Sequence, residues 1–285
     1  MTTDIDTTAL TLRQLDLERD AEALARMWRE SDDQWPGTVS DGVPINADWV
    51  RAFMAREKCR EVAIWQVGED IAGYCSLWDY PEEPGVVYIA TLNVAPRFQK
   101  LSLGRRFLTY FVERAAEIGA PRLDLHTWPG NLKAVPLYKK TGFFWDPGPS
   151  VHMINLLPTI LHMPAARSFF ESHDWYASFQ RELSQKEDDE RWEGMQVFTY
   201  RFTAGDDTLT VWGHRHSRAV TAIETRDLFA AAIVADETPA RGLKAPIRWK
   251  VTNKRNEPVD VTLIASGAAD LQLDQRATLR LAPGE

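Results

Sequence analysis

Cysteine is scarce in this chain. Cys59 and Cys75 are its two thiols and form no Cys-x-x-Cys spacing, so the sequence signals neither a disulfide framework nor a zinc site, and no metal is expected. No run reaches the ~18 apolar residues that a membrane-crossing helix needs. The opening MTTDIDTTAL has no positive stretch feeding an apolar one, as a secretory signal would. The expectation is a cytoplasmic protein without a membrane partner. Positive charge is in deficit as well: 33 Lys and Arg face 41 Asp and Glu, a formal net charge of −8. That argues against a general nucleic-acid binder, whose basic face must neutralise phosphates.

What is abundant is core-forming material. Of 285 residues 44% are hydrophobic and eleven are tryptophan, enough for two domains at about 150 residues each. A short strand over residues 10–15 leads into DLERDAEALARMWRES, where Ala21, Leu24, Ala25, Met27 and Trp28 recur at helical spacing. After a Gly/Pro/Asp-rich break comes a second helix over 47–56, and EVAIWQV with IAGYCSLWDY reads as a hairpin. VVYIATLNV is a strand running into a helix whose buried face is Leu103, Phe107, Leu108, Phe111 and Ala115. RLDLHTW is a strand, NLKAVPLYKKTG a short helix, and FFW and VHMINLL two further strands. Such interleaving predicts an α+β domain over residues 8–158, a mixed sheet of α/β/α type with helices on its faces.

Beyond residue 158 the texture changes. Residues 165–183 read as an amphipathic helix and QKEDDERWEG as a solvated charged stretch, together a helical connector over 159–194. From QVFTYRF onward short alternating runs are spaced by turn clusters, which predicts a mostly β, sandwich-like domain over 195–285. Within it APIRWKVTNKRNEPVDVTLIAS loosely resembles an immunoglobulin-type module. The chain stops at LAPGE, a turn-like sequence where a further strand is expected, so it reads as a piece of a longer protein.

Two segments carry chemistry. In VAPRFQKLSLGRRFL a turn feeds directly into a helix, leaving unpaired amides at the positive end of the macrodipole, where a pyrophosphate can sit; Lys100, Arg105 and Arg106 add charge. In NLKAVPLYKKTGFF, Asn131 and Tyr138 lie nearly two turns apart on one short helix and face the same cleft, with a late start or a bend expected at Pro136. Both segments resemble the GNAT N-acetyltransferase superfamily. The first matches its cofactor segment through Val94, Pro96, Gln99 and Gly104, with Ser102 in place of the first glycine. The second matches through Asn131, Ala134, Leu137, Tyr138, Gly142 and Phe143.

The resemblance covers about residues 8–158 and implies the GNAT fold, acetyl-CoA as co-substrate and an amine acceptor, either a small molecule or a peptide. It further implies cofactor contacts at Leu92, Val94, Gln99, Lys100, Leu101, Ser102, Leu103, Gly104, Arg105, Asn131 and Ala134, with Tyr138 as the general acid for the departing thiolate. A serine at the first glycine position brings a Cβ and a preference for negative φ. Attack by an amine also needs a base, since an ammonium has no lone pair. The strand before the cofactor turn offers Ala90 and Thr91 rather than a carboxylate, leaving Asp32, Asp33, Asp79, Glu82, Glu83, His126 or a water relay. The loop acids Asp32, Asp33, Glu82 and Glu83 would favour a cationic acceptor, and Trp35, Trp65, Trp78 and Trp128 would wall its cleft. His214 and His216 alternate on an expected strand and read as polar surface residues. The competing reading is a non-catalytic CoA-binding or regulatory domain joined to a β interaction module.

Overall fold

The computed structural model describes residues 10–234, 247–264 and 276–285. The expected domain start at residue 8 and the ends of the expected strands at Ala235 and Ser266 lie outside the described residues. The chain divides into two compact units. The first holds the described residues up to Thr159 together with Leu183–Glu187, and the second holds Ile160–Glu182 and the described residues from Asp188 onward.

In the first unit the elements run β1 (Thr11–Gln14), α1 (Leu17–Ser31), α2 (Ala47–Glu57), β2 (Glu61–Val67), β3 (Asp70–Asp79), β4 (Val87–Val94), α3 (Leu103–Glu117), β5 (Leu123–Thr127), α4 (Val135–Lys140), β6 (Phe144–Asp146) and β7 (Val151–Asn155), and α5 (Leu157–His162) begins in this unit and ends in the second. Asp16 caps α1 by accepting from the Arg19 amide, and the helix buries the apolar face read from its spacing. The strands form one sheet in the order β1-β2-β3-β4-β5-β7-β6. All pairs are antiparallel except β4 with β5, whose parallel pairing needs a crossover, supplied by α3.

Neighbouring residues on β4 show where the helices lie. The Asn93 amide donates to Ser31 Oγ of α1 at 2.7 Å, whereas Leu92 faces Gly104 at the start of α3. Because strand side chains alternate, α1 and α3 cover opposite faces. Pro136 falls in the first turn of α4, where no intrahelical amide bond is lost, and the helix indeed begins late, at Val135. Behind it Gly142 has a φ of +94°, and a Cβ there would overlap the Leu157 side chain. Only glycine fits.

The second unit opens with two short helices, α6 (Arg167–Ser172) and α7 (Trp175–Ser178), where one longer helix was expected. His173 is extended, and Asp174 starts a new helix by capping the Ala177 amide. β8 (Phe179–Gln180), β9 (Glu190–Trp192), β10 (Met195–Ala204), β11 (Asp207–His214), β12 (Ala219–Thr225), β13 (Leu228–Val234) and β14 (Ile247–Asn253) form an antiparallel sheet. In it β10 to β14 lie side by side in sequence order, and β15 (Val259–Ile264) pairs with β16 (Arg276–Leu281) separately. This meander has no Greek-key crossover among the described residues, so it differs from an immunoglobulin-type arrangement. Asn253, fully buried, ties the end of β14 to the turn before β15 and to the end of β16 by donating to the carbonyls of Glu257, Leu281 and Ala282.

β11 ends at His214, and His216 sits in the following turn. His214 is buried rather than superficial, with its Nδ1 2.9 Å from Ser217 Oγ. Among the described residues no helix is long and apolar enough to cross a membrane.

Candidate active site

The site begins as a gap between paired strands. β4 and β5 are in register only over Val87–Leu123, Tyr88–Asp124 and Ile89–Leu125. At that point the pairing of β4 with β3 skips Ala90, since Ser76 faces Thr91 and Leu77 faces Ile89. An extra residue in one strand bends it. Beyond the bulge the rest of β4 parts from β5, and the backbone of residues 90–94 is left without a strand partner on that side. The gap opens into a cleft of about 1160 Å³.

One wall is the turn from β4 into α3. Pro96–Phe98 form a tight 3-10 turn, and Lys100 and Ser102 then take left-handed backbone conformations, with φ of +72° and +59°. Ser102 occupies a conformation that glycine adopts without strain, and its side chain makes no cap bond to α3. The first intrahelical bond is from Arg106 N to Ser102 O, so the amides of Leu103, Gly104 and Arg105 precede the helix ladder. A Cβ on Gly104 would lie 3.2 Å from Leu137 Cδ2 and 3.7 Å from Leu92 Cδ2. The missing side chain is what lets α3 approach α4 closely. Gln99 Nε2 donates to Gln34 Oε1 at 3.0 Å, joining this turn to the segment after α1.

Of the residues expected to hold a cofactor, Leu92, Val94, Gln99, Lys100, Ser102, Leu103, Gly104, Arg105, Asn131 and Ala134 all line the cleft, and so does Tyr138. Leu101 does not. Nor does Arg106, whose guanidinium lies 4.8 Å from the Trp65 ring centroid. Sequence reasoning missed Asn93, Lys133 and Gln185, which also line it. Asn93 sits inside the strand already singled out, whereas nothing local marks Gln185.

The opposite wall is the β5–α4 connection. Asn131 precedes α4 in a turn rather than sharing its helix: its amide N donates to Trp128 O, and its Nδ2 donates to Thr127 Oγ1 at 2.9 Å. Tyr138, on α4 itself, is 9% exposed. Burial, with smaller contributions from Cys75 and Tyr88, pushes its phenol up to about 12. The ring therefore stays protonated through the neutral range.

The acids proposed as bases or as an attractive field do not converge here. Asp32 accepts from the Val39 and Ser40 amides and the Ser40 hydroxyl, tying its own loop. Asp79 pairs with Arg60 at 2.6 Å and Glu83 with Arg122 at 2.8 Å, while Tyr80 donates to Glu82. Asp33 is exposed. Among the described residues no carboxylate lines the cleft, whereas Lys100, Arg105 and Lys133 do.

His126 also lines it. Its ring stacks on His152 with centroids 4.3 Å apart, and His152 Nε2 lies 3.0 Å from the buried Asp124, itself paired with Arg122. Trp35 and Trp128 line the cleft 6.0 Å apart. Trp65 and Trp78 do not: Trp65 packs on Phe107, and Trp78 Nε1 donates to Cys59 Sγ.

A search of curated protein sequences gives no match. Among solved structures, a GNAT-family acetyltransferase from Streptococcus pneumoniae is 19% identical, with 52% of this chain and 98% of that one covered at a TM-score of 0.42. The PaiA N-acetyltransferase from Thermoplasma acidophilum in complex with coenzyme A is 15% identical, with 52% and 98% covered at 0.40. AAC(6')-Ib in complex with ribostamycin and coenzyme A is 20% identical, with 55% and 98% covered at 0.45. Residues 24–143 match the model of the Acetyltransferase (GNAT) family, and this part of the chain is a domain of that family.

Proposed function

We propose that the first unit transfers an acetyl group from acetyl-CoA to the amine of a small molecule or peptide. The observation that carries this reading is the cleft between β4 and β5, which joins the open amino terminus of α3 on one wall to Asn131 and Tyr138 on the other. The residues present fit a long polyanionic thioester. The unpaired edge of β4 suits a chain of amide groups. Helix amides with Lys100, Arg105 and Lys133 suit phosphates. The two thiols are free, in keeping with a reducing compartment such as the cytoplasm.

Acetyl-CoA, when bound, supplies an acyl carbon activated as a thioester. In this reading Leu103, Gly104 and Arg105 hold the pyrophosphate on their amides, and Asn131 orients the pantetheine arm. The acceptor nitrogen gives up a proton, forms the C–N bond and releases the sulfur as the C–S bond breaks. Tyr138 Oη delivers its proton to that sulfur, and a backbone amide at the end of β4 receives the carbonyl oxygen's growing charge. For the first proton, His126 is the one candidate from the sequence that lines the cleft, either directly or through water.

The test is Tyr138→Phe, with acetyl-CoA binding and turnover measured side by side. An acid role predicts kcat falling by about 10²-fold or more with the Kd for acetyl-CoA within twofold; equal loss of both, or no change, contradicts it. Selective CoA binding by the wild type without turnover on any amine would favour the regulatory alternative.

A further inference from the structure

The segment Leu183–Glu187 belongs to the first unit, although it lies well past the residues 24–143 that match the acetyltransferase family. Its hold on that unit is specific. Lys139, next to Tyr138 on α4, has no exposed surface, and its ammonium donates to Ser184 Oγ at 3.2 Å and to Lys186 O at 2.7 Å. A buried ammonium is tolerated only where oxygens replace its water, so these oxygens fix the segment to α4. Between them Gln185 turns to the β5–α4 connection, where its Nε2 donates to Leu132 O at 3.0 Å, and its side chain lines the cleft. Its carboxamide is bifunctional: beyond the bond to Leu132 it carries an acceptor oxygen and a second N–H.

We propose that Leu183–Glu187 is a strap that completes the acyl-donor site, with Lys139 as its anchor and Gln185 as a CoA-contacting residue supplied from outside the family domain. The proposal rests on the cleft being the CoA site. Gln185 stands beside Lys133 on the α4 wall, across from the amino terminus of α3, where its amide N–H and carbonyl meet the amide or phosphate groups of the bound chain. Held to α4 by Lys139, the strap moves with the helix that carries Tyr138. Donor affinity therefore depends on a stretch of chain that a domain cut at residue 158 would lack.

The experiment is calorimetric titration of the full chain with CoA for the wild type, Gln185→Ala and Gln185→Glu, with melting curves alongside. Loss of one hydrogen bond predicts about a five- to tenfold rise in Kd for Gln185→Ala at an unchanged melting temperature. Gln185→Glu, which sets a carboxylate against a polyanion, should bind more weakly still and recover partly as salt is raised. A wild type that binds CoA while Gln185→Ala binds within twofold of it overturns the strap and leaves the cleft assignment standing. A wild type that binds no CoA overturns both. Lys139→Met, freeing the strap, should reproduce the affinity loss; if it fails to fold, the Gln185 variants decide.

Discussion

Replacing Ser102 by glycine probes whether backbone strain is stored at the turn from β4 into α3. Ser102 has φ +59° and ψ +21°, a left-handed conformation that costs an L-residue roughly 1–2 kcal/mol. Glycine adopts it freely but loses about 0.5–1 kcal/mol more through its greater freedom in the unfolded chain. No side-chain cap bond is sacrificed, since Ser102 makes none to α3. The balance favours glycine by about 0.5–1 kcal/mol, or about 1–4 °C in melting temperature for a unit of this size. Urea unfolding combined with amide exchange on β4 and α3 would localise the gain to the first unit. Ser102→Ala keeps the Cβ, so it should change stability little. Equal gains from alanine and glycine, or no gain from glycine, would refute the strain argument.

Other substitutions test the packing beneath the cleft. Gly142→Ala drives a Cβ into Leu157 at a φ of +94° and should destabilise by on the order of 3 kcal/mol, read from urea midpoints. Asn93→Ala removes the buried donor to Ser31 Oγ and should cost roughly 1–2 kcal/mol; a change below about 0.3 kcal/mol would contradict the role given to that bond. For Asp20, burial alone would raise the carboxyl, but donation from Arg13, Arg19 and the Asp16 amide outweighs it and holds the group well below the usual carboxylate range. A depressed native pKa gives stability that is present above the unfolded value of about 3.9 and lost as pH falls through the native one. Asp20→Asn should accordingly flatten the acid limb of a stability–pH curve, and an unchanged acid limb would contradict this.

Much of the first unit is legible locally because its signals are local. Five apolar residues at helical spacing suffice to place α1. Pro136 foretells where α4 starts, and the Asn131–Tyr138 spacing brings both side chains to one cleft even though Asn131 lies before the helix. Partner choice is another matter. Alternation marks the strands of the second unit, but whether they meander or cross over depends on contacts between distant segments. Loop acids look alike in sequence, yet Asp32 ties a loop while Glu83 faces Arg122. Gln185 is invisible for the same reason, since only the burial of Lys139 shows what its segment is fastened to.

The central claim is tested most directly by titrating the purified chain with acetyl-CoA, using CoA and an unrelated nucleotide as controls. The account predicts saturable binding near one site per chain, competed by CoA and not by the nucleotide. Absence of binding at high micromolar acetyl-CoA would contradict it.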